Sequence, residues 1–163
     1  MTYPQLVHYE SESEYRDHYR NVYCRKPMVT FDQIEVRFPL DQFEHAFFES
    51  KSRNGIKDTF SKNRAQRIDW IKATLLSPHA TLFEGWDYKT KMYDGSRRVA
   101  IMFECFVVVI SLSLSKNSEL TGKFITCYQA DNSIEKIQRS PKWQKDSCLH
   151  KLKSKKKKVP PIC

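Results

Sequence analysis

The stretch from Val99 to Tyr128 limits this chain more than any other. It begins with an apolar run, Ala100 to Ile110, that carries one charge, Glu104. The run is rich in β-branched and aromatic residues, so it reads as strand rather than helix. A polar break follows at Lys116-Asn117-Ser118-Glu119, then a second strand over 123–128. Strict alternation there sets Phe124, Thr126 and Tyr128 on one face and Ile125 and Cys127 on the other. A hydroxyl and a phenol then sit among neighbours that favour burial, and chemistry is sought there first.

Upstream, Ser11-Glu12-Ser13-Glu14 has the form of a helix start, with Ser11 as cap and Glu14 three residues on. Tyr15, Tyr19 and Tyr23 then recur every four residues as one stripe, expected to pack on the body rather than to stack on bases. Lys26-Pro27 ends that helix, and the alternation of Ile34, Val36 and Phe38 marks a strand over 31–38. A second helix is expected over 41–49, capped by Asp41 with Glu44 completing a capping box. It carries His45. A basic loop over 51–57 leads to a third helix over 61–76, amphipathic through Ile68, Ile71 and Leu75, and closed before Pro78. Next come a strand over 80–86 and a basic, aromatic hairpin over 87–98 with Asp94-Gly95 as its turn.

Helices followed by a run of strands imply an α+β fold, with N-terminal helices packed on a four- to five-stranded antiparallel sheet. Three parts are expected: a helical extension over 1–28, an α+β domain over 29–145, and a lysine-rich flexible tail over 146–163. Six of the nine net positive charges come from lysines after residue 146, so the body is only mildly basic. Five cysteines without a CxxC pair argue against a disulfide framework or a zinc cluster, and Cys105 and Cys127 read as small buried hydrophobes. No long uncharged apolar stretch and no leader-like start are visible, so a cytoplasmic protein without membrane contact is expected. The absence of a GxGxxG or P-loop motif disfavours a nucleotide cofactor, and no cofactor is expected. In the hairpin, Tyr88, Lys89, Lys91 and Arg97 interleave cations with an aromatic ring, which suits a sugar-phosphate backbone and its bases.

The helix with His45, the helix Arg64-Ala65-Gln66-Arg67-Ile68-Asp69-Trp70-Ile71 closing at Pro78, and the last strand Phe124-Ile125-Thr126-Cys127-Tyr128 form a recognisable series. Over roughly residues 34–143 the chain resembles the phage-associated nucleases of the barnase–EndoU–colicin–RelE (BECR) superfamily. That resemblance implies a small endoribonuclease of toxin or effector type that uses no metal. It would cleave RNA, with tRNA a candidate substrate, by attack of the ribose 2′-hydroxyl, leaving a cyclic phosphate. His45, Thr126 and Tyr128 would match the family's catalytic positions, with Arg64 or Arg67 and Lys89 or Lys91 as matching cations. Histidine suits proton transfer near neutrality, and lysine or arginine suits the phosphorane charge. No second histidine falls in the pattern, which leaves Tyr128 or a lysine to protonate the leaving group. A toxin of this kind implies an acidic immunity or antitoxin protein as partner. Two other readings stand beside it: a nucleic-acid-binding protein without catalysis, and a phage accessory protein-interaction module. A metal-dependent nuclease is weaker still, because Asp58, Asp69, Glu84 and Asp87 are scattered.

Overall fold

In the computed structural model, which describes residues 3–52 and 54–157, helix α1 (Glu12–Tyr19) runs on through a π turn (Arg20–Cys24). The short strands β1 (Met28–Val29) and β2 (Glu35–Arg37) follow. Helix α2 (Gln42–Phe47) leads into a ribbon of β3 (Phe48–Glu49) and β4 (Thr59–Phe60), then helices α3 (Lys62–Ala65) and α4 (Ile68–Leu76). Strand β5 (Thr81–Glu84) precedes a hairpin of β6 (Trp86–Asp87) and β7 (Met92–Tyr93). The long strands are β8 (Arg98–Phe103), β9 (Phe106–Leu114) and β10 (Leu120–Gln129), with helices α5 (Ile134–Gln138) and α6 (Lys145–Lys157) after them.

The fold is α+β, but the sheet is larger than expected and is mixed. Six strands lie in the order β1-β2-β10-β9-β8-β5, and β2 pairs with β10 in parallel. A parallel pair needs a long crossover, and the helices and strands between β2 and β10 supply it. The apolar run read as one strand is two. Glu104 and Cys105 form a tight turn between β8 and β9, and the single charge in the run takes the positive φ of 53° that the turn requires. Cys105 is therefore a half-buried turn residue, while Cys127 is fully buried. Cys24, Cys105, Cys127 and Cys148 are free thiols, and Cys163 lies outside the described residues.

Helices α1 to α4 and α6 all cover one face of the sheet. Val99, Ile101, Val108, Ile110 and Phe124 meet them in one core with Phe43, Phe47, Ile68 and Leu75. Burial of this apolar surface is the main force holding the two layers together. The expected extension over 1–28 shares that core: Tyr15, Tyr19 and Tyr23 are all buried. Each phenol pins a different segment, donating to Val7 O (2.8 Å), Pro39 O (2.8 Å) and Ile68 O (2.6 Å). Ser11 caps α1 through the Glu14 N–H, as its sequence implies.

Four local expectations are corrected. Asp41 has helical φ and ψ and makes no side-chain cap bond; backbone bonds to Pro39 O and Leu40 O close that first turn instead. The helix over 61–76 is split at Gln66–Arg67, where the Gln66 carbonyl accepts from Val7 N (2.8 Å). The hairpin turns over residues 88–91, with Lys91 at φ 54°, and not at Asp94-Gly95. Asp94 instead accepts from the Ser96 amide (2.9 Å), the bond of an Asx turn. The tail expected to be disordered from 146 is helical to Lys157: Cys148, Leu149 and Leu152 pack inward, and residues 158–163 lie outside those described. No helix among the described residues is long and apolar enough to cross a membrane.

Tyr23→Phe should lower unfolding free energy by about 1–3 kcal/mol, because its buried hydroxyl also accepts from Lys72 N. Gly85→Ala should cost about the same, since a Cβ there would lie 2.5 Å from Arg98 Cβ. Urea titration followed by circular dichroism checks both, and unchanged midpoints would contradict this packing.

Candidate functional site

Strand β10 carries a β-bulge. Its register against β9 shifts between Phe124 and Thr126, leaving Ile125 as the extra residue. The shift overturns the expected alternation. Phe124 and Cys127 both enter the helix-covered core, whereas Thr126 and Tyr128 line the opposite face. Strand β2 pairs with residues 121–123 of β10, and among the described residues no strand lies on that side of its second half. Helix α2 takes that place, and Gln42 Nε2 donates to the Ile125 carbonyl (2.6 Å). This docking points His45 toward the open face, at the rim of the bulge.

A cleft of about 710 Å³ results. Ala100, Val109, Thr126 and Tyr128 form its floor, and His45 and Lys57 form one wall. The hairpin contributes Trp86, Tyr88 and Tyr93 opposite, while Lys136 and Ser140 from the α5 segment close an end. Arg98 lines this cleft and also a side pocket of about 270 Å³, which holds Lys89 and Arg97. Lys57 reaches back to His45, its Nζ donating to the His45 carbonyl (2.5 Å). The Thr126 hydroxyl is buried yet lacks a hydrogen-bond partner among the described residues.

Charge in the cleft favours a neutral histidine. Burial lowers the His45 pKa first, and the cations Lys57, Arg98 and Arg64 lower it further. Lys57 is lowered too, by burial and then by Arg64. Burial raises the Tyr128 phenol, which keeps it a hydrogen-bond donor. Beneath the floor, burial pushes the Cys127 thiol up to about 12, so it is no nucleophile.

Of the residues singled out by sequence, His45, Thr126, Tyr128 and Tyr88 meet in this cleft. Arg64 and Arg67 lie behind Tyr128 in a smaller groove of about 110 Å³. Arg64 is paired with Glu49 (3.1 Å), and Arg67 donates to the Asn63 carbonyl (2.7 Å) and lies over Trp70. Arg97 is paired with Asp87 (2.8 Å), and Lys91 is exposed in the hairpin turn, outside both cavities. Lys57 and Arg98 were missed. Arg98 could have been found from its parity with Ala100 and Met102 on the open side of β8, whereas nothing in sequence marks Lys57 within its loop.

No group of three or more His, Cys, Asp or Glu side chains is placed to hold a metal ion among the described residues. No protein-family model matches this chain, and no curated protein or solved structure matches it either.

His45 should titrate below the ordinary histidine value of about 6.5. Removing a neighbouring cation favours the imidazolium, so Lys57→Met should move the midpoint upward. Proton NMR of the His45 ring signals checks this, and a wild-type midpoint above 6.5 would contradict the charge arrangement.

Proposed function

We propose that the protein is an endoribonuclease that needs no metal and cleaves RNA through attack of a ribose 2′-hydroxyl on the adjacent phosphate. The observation that carries this reading is the convergence of His45, Lys57, Arg98, Thr126 and Tyr128 on one open cleft. A histidine whose pKa is lowered by partial desolvation and nearby cations suits a general base at neutral pH. His45 takes the 2′-hydroxyl proton, the freed oxygen attacks phosphorus, and the 5′-oxygen leaves. Lys57, its pKa lowered, is the donor for that leaving oxygen. The Arg98 guanidinium faces the phosphorane charge, and the Tyr128 hydroxyl faces a non-bridging oxygen. The products are a 2′,3′-cyclic phosphate and a 5′-hydroxyl.

The resemblance of Arg64–Ile71 and Phe124–Tyr128 to the BECR nucleases supports the same reading, and with it a toxin or effector role. The open, cation-lined face also suits an acidic antitoxin protein, whose carboxylates would take the place of phosphates. A second reading, RNA binding without cleavage, draws on two observations. Among the described residues, no histidine other than His45 lines the cleft, and Arg64 and Arg97 are engaged by Glu49 and Asp87.

Incubation of total RNA and of tRNA with the protein in EDTA, resolved on a denaturing gel, separates the two. Cleavage that falls at least about tenfold in both His45→Ala and Tyr128→Phe, some 1.4 kcal/mol of transition-state stabilisation, is expected. The rate should rise with pH through a midpoint below 6.5, because the base works only when deprotonated. Intact RNA would move the conclusion to the binding reading. Cleavage that both variants retain would displace the site.

A further inference from the structure

The strand register places a line of cations across the bare face of the sheet. Arg37 on β2 pairs with Lys123 on β10, Lys123 with Ser111 on β9, and Ser111 with Arg98 on β8. Directly paired residues share a face, so these four side chains form one row perpendicular to the strands. Three strand spacings make the row about 14 Å long. It ends at Arg98, which also lines the cleft. Arg37, Lys123 and Arg98 are all exposed, and the helices that bury the other face leave this region open.

Paired like charges on a sheet destabilise it. Arg37 and Lys123 are set side by side with only Glu35, 3.9 Å from Arg37, as an ion-pair partner among the described residues. Beyond Arg98 the β6–β7 hairpin exposes two aromatic rings: Tyr88 is 79% exposed and Trp86 40%. A row of cations leading to exposed rings is the arrangement that holds an unpaired polynucleotide, with phosphates on the row and bases on the rings. In duplex RNA the bases are stacked inside the helix and cannot reach those rings.

We infer that the row Arg37–Lys123–Ser111–Arg98 is the track of a single-stranded RNA substrate, which crosses the strands from the β2 edge to the cleft and stacks bases on Trp86 and Tyr88. The inference rests on the ribonuclease reading for the identity of the substrate but extends to residues outside the cleft.

The test is binding of a labelled single-stranded 2′-O-methyl oligonucleotide, which cannot be cleaved, and of a duplex of the same composition, over a range of salt. The full chain is compared with Arg37→Gln, Lys123→Gln, Tyr88→Ala, and Lys72→Gln on the helical layer as a control. Each row substitution should weaken single-strand binding about three- to tenfold and reduce the salt slope by about 0.7. Tyr88→Ala should weaken it by about fivefold or more at an unchanged slope, and Lys72→Gln should match the parent. Row variants that bind and respond to salt like the parent would overturn the track. So would duplex binding as tight as single-strand binding. Salt-dependent binding that the row controls, in a protein that leaves RNA intact, would retain the track and remove only the catalytic reading.

Discussion

The cleft on the open face depends on the extra residue in β10. A strand that alternated strictly could not deliver Phe124 and Cys127 to one side and Thr126 and Tyr128 to the other. The bulge at Ile125 resets the parity between Phe124 and Thr126, so one short segment serves both the core and the cleft. Its displaced carbonyl needs a donor, and Gln42 supplies one from the first turn of α2. The same contact fixes where α2 sits, and therefore where His45 points. The bulge, the helix that replaces a strand, and the position of the histidine are one structural device.

The two faces of the sheet divide the work. Five helices bury one face, and the tyrosines of α1 and the π turn after it lock the N-terminal segment, the β2–α2 connection and α4 to it. The other face keeps only a small apolar patch around Phe83, Met102 and Val107, with α5 over part of it. Its remainder is polar and positively charged. Burial first and then the neighbouring cations lower the pKa of His45, and the same cations suit an anion. The buried, unpaired hydroxyl of Thr126 belongs to the same surface.

Much of the architecture could be read along the chain. Ser11, the four-residue tyrosine spacing and the pattern of Ile68, Ile71 and Leu75 each identified a helix and its buried side. The strands were legible from their β-branched runs. The errors arose where a single residue changed a geometry. Glu104 turned one long strand into a hairpin, because a charged residue at positive φ is stable in an exposed turn although nothing local announces it. Asp94-Gly95 has turn chemistry and was used for an Asx turn, while the hairpin reversed over 88–91. Of the candidate site, His45, Thr126, Tyr128 and Tyr88 came together, but Arg64 and Arg97 were claimed by Glu49 and Asp87 from other parts of the chain.

Sequence alone determined the α+β class, the apolar sides of α1 and α4, the strand-forming centre and the types of residue available for chemistry, because each is set by local propensity and periodicity. Tertiary structure alone decided that β2 pairs in parallel with β10, that a bulge turns Thr126 and Tyr128 away from Phe124, and that Lys57 and Arg98 stand beside His45. These facts depend on contacts between residues far apart in the chain, such as Gln42 with Ile125, and no local pattern encodes them.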